Sequence, residues 1–326
     1  MYNNKLSLFQ TQKAIKKLKD FFEIQLAYEL NLTRVSAPLF VKPETGLNDN
    51  LTGIEKPVSF EVFRKQKVEI VQSLAKWKRF ALKNYGVTHD EGIYTDMNAI
   101  RKDEDVDAIH SVYVDQWDWE KVINKTERNE ETLKNTVNQI YKVFKMTDEY
   151  ITREFPQLDK KLPDDILFIT SQELENLYPN LSPKQRENEI CRKHRAVFIS
   201  KIGSILASGK KHDDRSPDYD DWNLNGDILF YNPILGHALE MSSMGIRVDD
   251  MTLMKQLEIT NTLDRLELDY HQAIIKEQLP YTIGGGIGQS RLCMYFLEKA
   301  HIGEVQSSVW PEEVIKECRN QKIYLL

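Results

Sequence analysis

The chain has 326 residues, of which 41% are hydrophobic and 29% charged, enough for one large domain or two smaller ones with a buried core. Its net charge is −6, and it lacks the basic tail that nucleic-acid-binding proteins usually carry. It has no apolar run long enough to cross a bilayer, and its first residues do not resemble a signal peptide. We therefore expect a soluble, cytoplasmic protein that acts on small molecules.

The first ninety residues predict two helices with a short extended segment between them. Residues 11–31 place apolar side chains on one helical face, at Ile15, Leu18, Phe22 and Leu26. Residues 32–43 predict a short strand that Pro38 and Pro43 interrupt. Residues 72–84, QSLAKWKRFALKN, predict the second helix or the residues that lead into it.

Residues 100–120, IRKDEDVDAIHSVYVDQWDWE, predict a strand to Arg101, an acidic turn, and a second strand from His110. The side chains of the second strand alternate between two faces. One face ends in two tryptophans, a good core surface, whereas the other carries Gln116, Asp118 and Glu120. Considered alone, this polar face has two interpretations: contact with water, as on one side of many antiparallel sheets, or a place in a binding site.

The second half of the chain is richer in strands. Residues 131–155 predict a long amphipathic helix, with Leu133, Val137, Ile140, Phe144 and Ile151 turned inward. Residues 166–179 predict a strand that enters a helix, with Ser171 as its N-cap. Three further strand patterns follow: AVFISKIG, DILFYNP and HALEMSSMGIRV. Because their spacing is typical of hairpins, we expect an α+β fold with a mainly antiparallel β-sheet flanked by helices.

The segment GGGIGQSR, residues 284–291, invites a nucleotide-binding interpretation. It is not the dinucleotide fingerprint, because Arg291 stands where the third glycine should be, and it lacks the GK[ST] of a P-loop. The simplest interpretation is a tight turn that needs glycine, feeding a helix. The alternative is a phosphate site, in which Arg291 and the backbone N–H groups of the first helical turn meet one phosphate.

Acidic residues concentrate in KHDDRSPDYDD, residues 211–221, which holds five aspartates. We expect most of them to lie on a solvated loop. Asp227 and Glu240 differ, because they stand in strand patterns beside apolar residues, where a buried carboxylate needs a cation. Either Mg²⁺ or neighbouring lysines and arginines would satisfy them, and the spacing does not choose between the two.

Neither the cysteines nor the histidines predict a metal site or an activated nucleophile. Cys191, Cys293 and Cys318 stand far apart, which fits a reducing compartment and gives no zinc ligand pattern. The seven histidines show no ligand spacing and no nucleophile partner.

Taken in order, several segments resemble the catalytic core of class II aminoacyl-tRNA synthetases, in the subclass that handles aspartate, asparagine and lysine. The match is closer still to the ammonia-dependent asparagine synthetases, or aspartate–ammonia ligases, which consist of that core alone. The resemblance covers residues from about 10 to 310 and rests on NDNLTG, QSLAKWKR, IHSVYVDQWDWE, PDYDDW, LNGDIL, SSMGIRV and TIGGGIGQSRL. One departure is the link DYDDWNLNGD, near Asp220, which is shorter than in some relatives.

The resemblance implies an aspartate pocket built around the polar face of the tryptophan strand. Gln116 and Asp118 would accept hydrogen bonds from the substrate α-ammonium group, so the binding-site interpretation replaces the solvent one. Arg247 offers a planar fork for a carboxylate, and Lys78 supplies a second positive charge. The two serines of this predicted pocket are Ser73 and Ser243.

The resemblance also implies an ATP site. Arg101 would contact the α-phosphate, Arg291 the outer phosphates, and Asp227 and Glu240 the cofactor Mg²⁺. The other residues predicted to border ATP are Ser111, Val112, Tyr219, Asp220 and Gly286.

In the reaction so implied, the β-carboxylate of aspartate attacks the α-phosphorus of ATP and ammonia then attacks the adenylate. Arg101 and Gln116 are predicted to be catalytic. Asp49, in GLNDNLTG, is predicted to bind ammonium and accept its proton. From the residues alone, an ordinary polar turn is the simpler interpretation of Asp49.

We expect one catalytic domain over residues 1–326, with aspartate, ammonia and ATP as partners and neither nucleic acid nor membrane. Residues 11–38 resemble the motif through which class II cores dimerise, which predicts a homodimer. Two rival activities are the charging of a tRNA and a non-catalytic regulatory role. The first calls for an anticodon-binding module and a positive surface, which this acidic chain does not predict. The second is disfavoured because Lys78, Arg101, Glu240 and Arg291 are all retained.

Overall fold

A computed structural model describes residues 2–49 and 55–326, and the helices and strands of the fold are those of the described residues. The helices α1 to α9 are, in chain order, Leu8–Leu30, Ala75–Tyr85, Glu130–Glu154, Ser171–Leu177, Pro183–His194, Asp250–Thr260, Asp269–Ile275, Gln289–Phe296 and Glu312–Asn320. The strands β1 to β11 are, in chain order, Leu32–Arg34, Phe40–Val41, Ser59–Val62, Gln66–Ile70, Gly92–Ile100, Tyr113–Val122, Leu167–Thr170, Ala196–Ser200, Asp220–Asn232, His237–Arg247 and Thr282–Gly288.

Two sheets organise these strands. The large sheet has the order β1-β5-β6-β11-β10-β9-β8-β7, and the small sheet has the order β2-β4-β3. The pairs at the two ends of the large sheet, β1 with β5 and β7 with β8, are parallel. The pairs between them are antiparallel. The expected α+β architecture, a mainly antiparallel sheet flanked by helices, is confirmed.

The main hydrophobic core lies between one face of the large sheet and the helices α1 and α3. Trp117 and Trp119 of β6 are fully buried in it, as the alternation predicted. Phe22 of α1 stacks on Trp117 with 5.0 Å between ring centroids. Phe144 of α3 lies 5.1 Å from Phe22 and 4.9 Å from Phe230 of β9. These aromatic contacts leave the opposite face of β6 for the polar side chains.

The long predicted helices are confirmed with small changes at their ends. The predicted inward residues of α3 are all buried. In α1, Leu18, Phe22 and Leu26 are buried, and Ile15 is half-buried against the same core. The predicted strand over residues 32–43 is instead two strands, because β1 joins the large sheet whereas β2 joins the small one.

The predicted cap of α4 is wrong by one residue. Thr170 is the N-cap, in a reciprocal pair of bonds in which its hydroxyl accepts from the N–H of Glu173 and the Glu173 carboxylate accepts from the N–H of Thr170. Thr170 still has the extended backbone of β7, which an N-cap requires, whereas Ser171 is already helical. The hydroxyl of Ser171 donates instead to the carbonyl oxygen of Lys201, at 2.7 Å.

The glycine-rich segment is a strand and not the predicted turn. Residues 282–288 form β11, which pairs with β6 on one side and β10 on the other. The helix predicted after it is confirmed as α8. Among residues 2–49 and 55–326, no helix combines the length and the apolar character that crossing a bilayer would require.

Candidate active site

A cleft of about 710 Å³ opens on the face of the large sheet opposite the tryptophans. It brings together residues from β6, β10, β11 and the loops beside them, so the segments singled out in the sequence meet in one place. Fourteen of the predicted site residues line it: Asp49, Ser73, Arg101, Ser111, Gln116, Asp118, Tyr219, Asp220, Asp227, Glu240, Ser243, Arg247, Gly286 and Arg291.

Two predicted residues, Lys78 and Val112, do not belong to this lining. Lys78 is fully buried, and its ammonium group donates to the carboxylate of Asp118 and to the carbonyl oxygens of Trp119 and Gly285. Three acceptors match the three donors of an ammonium group, so contact with a substrate would cost one of these bonds. The carbonyl oxygen of Val112 accepts from the N–H of Arg101 at 2.9 Å.

The polar face of β6 is buried rather than hydrated. Asp118 is 3% exposed and Glu120 is fully buried, whereas Gln116 is half-buried at the cleft wall. The interpretation of this face as a solvent surface is therefore wrong. A buried carboxylate needs cations and hydrogen-bond donors, and the neighbouring elements supply both.

The cations that meet this face are Lys78 and Arg247. The guanidinium of Arg247 donates to Glu120, with Nη2 2.7 Å from Oε2 and Nε 2.9 Å from Oε1, and also to Asp220. Burial alone would raise the pKa of Glu120, but the charges of Arg247 and Lys78 outweigh it and hold the pKa below its usual value. Positive and negative charges therefore alternate along and directly behind this wall of the cleft.

The glycines of β11 make room for this row. A Cβ on Gly284 would lie 2.0 Å from Oε2 of Glu120, and a Cβ on Gly286 would lie 2.4 Å from Oε1 of Gln116. Neither glycine has a positive φ, so neither is required by a turn. The side chains of β6 lie across the bare backbone of β11, and this close approach explains the glycines.

A second, cationic end of the cleft contains Arg101, Arg215 and Arg291. Arg215 donates to Oδ1 of Asp227 at 2.6 Å and also to the hydroxyl of Ser243. Arg291 donates to the carbonyl oxygen of Glu240 at 3.2 Å, and its guanidinium lies 3.8 Å from the Glu240 carboxylate. Within the described part of the chain, Nε of Arg101 and Nε of Arg215 are buried without a hydrogen-bond partner. Buried donors of this kind suit an anionic ligand.

Asp227 of β9 and Glu240 of β10 both line the cleft, and their charges interact. Burial raises the pKa of Asp227 to about 6 against the charge of Arg215, and the charge of Glu240 adds to the rise. Two carboxylates that repel each other in a cleft suit a divalent cation whose remaining ligands come from a substrate. Residues 2–49 and 55–326 contain no cluster of three or more metal-ligating side chains. A metal at this pair would therefore depend on substrate oxygens.

The acidic loop departs from its expected exposure. Only Asp213 and Asp214 of its five aspartates are exposed, whereas Asp218, Asp220 and Asp221 are buried. These three have cationic partners from distant elements, such as Arg128 for Asp221 and Arg247 for Asp220. The expectation of a mostly solvated loop is therefore wrong, because partners brought in by the tertiary fold offset the cost of burial.

Sequence reasoning missed Arg215 and His271. Arg215 stands among the aspartates of residues 211–221, a segment that was predicted to be a solvated loop. His271 is buried on α7, and its Nε2 lies 3.0 Å from Oδ2 of Asp218. The signal that could have identified Arg215 is its position within a run of acidic residues. Like charges that become buried together need a counter-charge.

Asp49 lies in the cleft wall and is 2% exposed. Burial and then the charges of Asp49 and Asp220 raise the pKa of Tyr219 well above its usual value, and Tyr219 lines the same cleft. Residues 50–54, the rest of the predicted loop, lie outside the described residues. The structure thus brings Asp49 to the pocket end at which Asp220 and Arg247 meet.

Comparisons with known proteins identify the family. The family described as aspartate-ammonia ligase matches residues 9–322. The aspartate–ammonia ligase of Fusobacterium nucleatum subsp. nucleatum is 63% identical over 325 residues, which cover 100% of this chain and 99% of that protein. The chain belongs to the aspartate–ammonia ligase family. The ligases of Clostridium perfringens and Bacillus cereus are 62% and 56% identical over 100% of this chain and over 97% and 100% of theirs.

Solved structures identify the fold of this ligase. Asparaginyl-tRNA synthetase from Pyrococcus horikoshii, complexed with asparaginyl-adenylate, is similar with a TM-score of 0.68 over 92% of this chain and 70% of that chain. Aspartyl tRNA synthetase from Entamoeba histolytica is similar with a TM-score of 0.61 over 91% of this chain and 58% of that chain. Both are 15% identical to the ligase, so they establish the fold alone: the catalytic core of class II aminoacyl-tRNA synthetases.

Proposed function

We propose that the cleft carries out both half-reactions of asparagine synthesis on one bound aspartate, with each end of the cleft serving one substrate. The observation that carries the proposal is the division of charge within the cleft. Buried acceptors and cations alternate at one end, around Gln116, Asp118 and Arg247, and three arginines gather at the other. An amino acid with two carboxylates suits the first end, and a triphosphate suits the second.

As a member of the aspartate–ammonia ligase family, the chain is an enzyme that makes L-asparagine from L-aspartate, ammonia and ATP. The β-carboxylate attacks the α-phosphorus of ATP and forms β-aspartyl-adenylate with release of pyrophosphate. Ammonia then attacks the acyl carbon and releases AMP. A carboxylate is a poor electrophile, so adenylation supplies the leaving group, and the protein contributes orientation and charge stabilisation.

At the aspartate end, Gln116 and Asp118 accept hydrogen bonds from the α-ammonium group. The side-chain bonds of Arg247 to Glu120 and Asp220 use three of its five N–H donors, so two are left to fork onto a substrate carboxylate. Lys78 adds positive charge from behind Asp118 and holds that carboxylate in place. The hydroxyls of Ser73 and Ser243 complete the pocket.

At the ATP end, Arg101 contacts the α-phosphate, where negative charge builds during the attack, and Arg291 holds the outer phosphates. Arg215 is a further phosphate contact supported by its buried, unpartnered Nε among the described residues. Ser111 borders the nucleotide, and Val112 holds the main chain of Arg101 from outside the cleft lining. Tyr219, Asp220 and Gly286 border it where the two ends of the cleft meet. Asp227 and Glu240 would hold Mg²⁺, which when bound neutralises phosphate charge.

For the second half-reaction, Asp49 attracts ammonium and accepts its proton, so that neutral ammonia meets the acyl carbon. A carboxylate is a weak base for ammonium, and its position beside the adenylate therefore matters more than its pKa. The position of Asp49 in the cleft wall, which Tyr219 and Asp220 also line, supports this role.

The deciding experiment is Asp49→Asn, which keeps the shape and removes the charge. Asparagine synthesis should fall by about 10²- to 10⁴-fold, the range of general-base contributions, while aspartate-dependent ATP–pyrophosphate exchange survives. Hydroxylamine, which is already neutral, should rescue acyl transfer better than ammonia does. Loss of exchange together with synthesis would assign Asp49 to the aspartate or ATP site, and retention of both would leave it no part in the reaction.

Assembly and location complete the proposal. The edge strand β1 and helix α1 present an exposed side, with Phe9 71%, Ile24 62% and Tyr28 83% exposed. A twofold partner would bury these side chains, so the enzyme is proposed to work as a cytoplasmic homodimer with one catalytic domain per chain. Sedimentation at micromolar concentration should give the mass of a dimer, and a stable monomer would refute it.

A further inference from the structure

Helix α2 carries a second buried lysine, Lys76, that neither half-reaction uses. Lys76 is 2% exposed, and its ammonium group donates to Oδ2 of Asp218 at 2.8 Å and to the carbonyl oxygen of Asn48 at 3.2 Å. Asp218 is itself fully buried and also accepts from Arg265 and His271. Lys76 therefore joins the segment before Asp49 to the segment before Tyr219.

A second set of bonds holds the same piece of main chain. The side-chain carbonyl of Asn48 accepts from the N–H of Asp49 at 3.0 Å and from the N–H of Gln72 at 2.8 Å. The side-chain amide of Gln72 donates to the carbonyl oxygen of Asp49, also at 3.0 Å. Gln72 is 1% exposed, so this bond is shielded from water. Both main-chain groups of Asp49 are thus tied to buried neighbours.

These bonds matter because regular structure does not hold Asp49. Residues 46–49 belong to neither sheet and to no helix, and residues 216–219 lie before β9 begins. The two segments meet at the cleft wall, which both Asp49 and Tyr219 line. The bonds of Lys76 in α2 therefore help to fix this segment, together with the bond from the side-chain amide of Asn48 to the carbonyl oxygen of Ile70 in β4, at 3.1 Å.

We infer that Gln72 and Lys76 are positioning residues for ammonia transfer, which hold the main chain of Asp49 so that its carboxylate meets ammonium at the acyl carbon. The inference rests on the proposed role of Asp49 and deepens it. Neither side chain lines the cleft, so neither contacts the substrates. A displacement of about 1 Å at a reacting group costs up to about a hundredfold in rate, so the loss of either bond should be measurable.

The test uses two variants of similar shape, Gln72→Met and Lys76→Met. In each, asparagine synthesis at limiting ammonium should fall about tenfold to a hundredfold through a higher KM for ammonium. Aspartate-dependent ATP–pyrophosphate exchange should stay within about twofold of the native enzyme, because the first half-reaction does not need Asp49. A structural role alone would lower both activities in proportion to the folded fraction.

Lys299→Met is the matched control. Lys299 is 1% exposed and donates to Asn4 and Thr11, away from the cleft. Its replacement should change the KM for ammonium no more than it changes exchange. If Lys76→Met fails to fold by circular dichroism, Gln72→Met decides alone, since it leaves every buried charge in place.

Asp49→Asn, assayed in parallel, separates this inference from the proposed function. If Asp49→Asn leaves ammonia transfer intact, the proposed role of Asp49 is wrong. If Asp49→Asn impairs transfer but Gln72→Met does not, only the positioning role is overturned. A parallel loss of exchange and transfer in Gln72→Met, without loss of folded protein, overturns it too, because Gln72 would then shape the aspartate or ATP site.

Discussion

The guanidinium of Arg247 lies between Glu120 and Asp220 with 2% of the residue exposed. Removing one partner of a buried charge pair typically costs about 3–5 kcal/mol, because the other charge is left without compensation. Arg247 therefore stabilises the fold as well as the pocket. Its replacement would confound substrate binding with folding, so the arginines of the cationic end give cleaner tests.

Arg101→Ala and Arg291→Ala should separate chemistry from binding. Arg101→Ala removes stabilisation of the α-phosphate in the transition state, so turnover in ATP–pyrophosphate exchange should fall about a hundredfold, or about 3 kcal/mol. Arg291→Ala should raise the KM for ATP more than it lowers turnover, because the outer phosphates carry less of the developing charge. Steady-state kinetics with varied ATP would measure both effects. Unchanged kinetics in both variants would place the ATP site elsewhere.

At the scale of elements, β11 links the two ends of the cleft. Its cleft-facing glycines leave room for the side chains of β6, and the helix α8 that follows it carries Arg291. One strand-to-helix unit thus sets both the depth of the aspartate pocket and the position of a phosphate contact. A methyl group added to a glycine of β11 should therefore affect aspartate binding if it points into the cleft, and stability if it points into the core.

Gly286→Ala and Gly285→Ala should differ in effect although they are neighbours. A Cβ on Gly286 meets Oε1 of Gln116 at 2.4 Å, so Gln116 must move and the KM for aspartate should rise about tenfold or more, the value of one hydrogen bond to a charged group. A Cβ on Gly285 meets Cβ of Met244 at 2.6 Å on the core side, so Gly285→Ala should lower the free energy of unfolding without a selective change in that KM. Kinetics and urea unfolding of both variants test the contrast, and equal KM values would contradict it.

At the scale of the whole molecule, Lys299 ties α1 to the C-terminal part of the chain. It donates to Asn4 and Thr11, and burial lowers its pKa to about 8, against a weaker opposite effect of Glu304. A native pKa below the unfolded value of 10.5 means that the unfolded chain binds the proton first as the pH falls. The contribution of Lys299 to stability is therefore present above pH 10.5 and is lost as the pH falls through about 8.

Comparison of the native enzyme with Lys299→Met should isolate the pH-dependent contribution of Lys299 to the free energy of unfolding. The free energy of unfolding of the native enzyme minus that of the variant should increase by about 3 kcal/mol between pH 8 and pH 10.5. Urea unfolding at several pH values in this window measures it, and the subtraction removes the titration of other lysines and tyrosines. A difference that is independent of pH would show that folding does not lower the pKa of Lys299.

Periodicity and local composition predicted the elements that pack through one apolar face. The tryptophan face of β6 and the inward side of α3 were readable because each pattern repeats within one element. The site residues were predicted through resemblance to a family, since nothing local distinguishes Gln116 or Asp49 from a solvated polar residue. Even Asp227 and Glu240 were equally compatible with a metal or with basic neighbours.

Only the tertiary structure decided which polar residues are buried and what the glycines do. Asp218 meets Lys76 from 142 positions away in the sequence, and Arg247 meets Glu120 from 127 positions away. The glycines of β11 are explained by the side chains of β6, which lie more than 150 positions away in the sequence. The free energy of burying a charge depends on the opposite charge that is buried beside it. The residues near a charge in the sequence do not show which residue that will be. The sequence by itself determined the long helices and the strands that have one apolar face, whereas the fold determined the strand β11 and the partners of the buried charges.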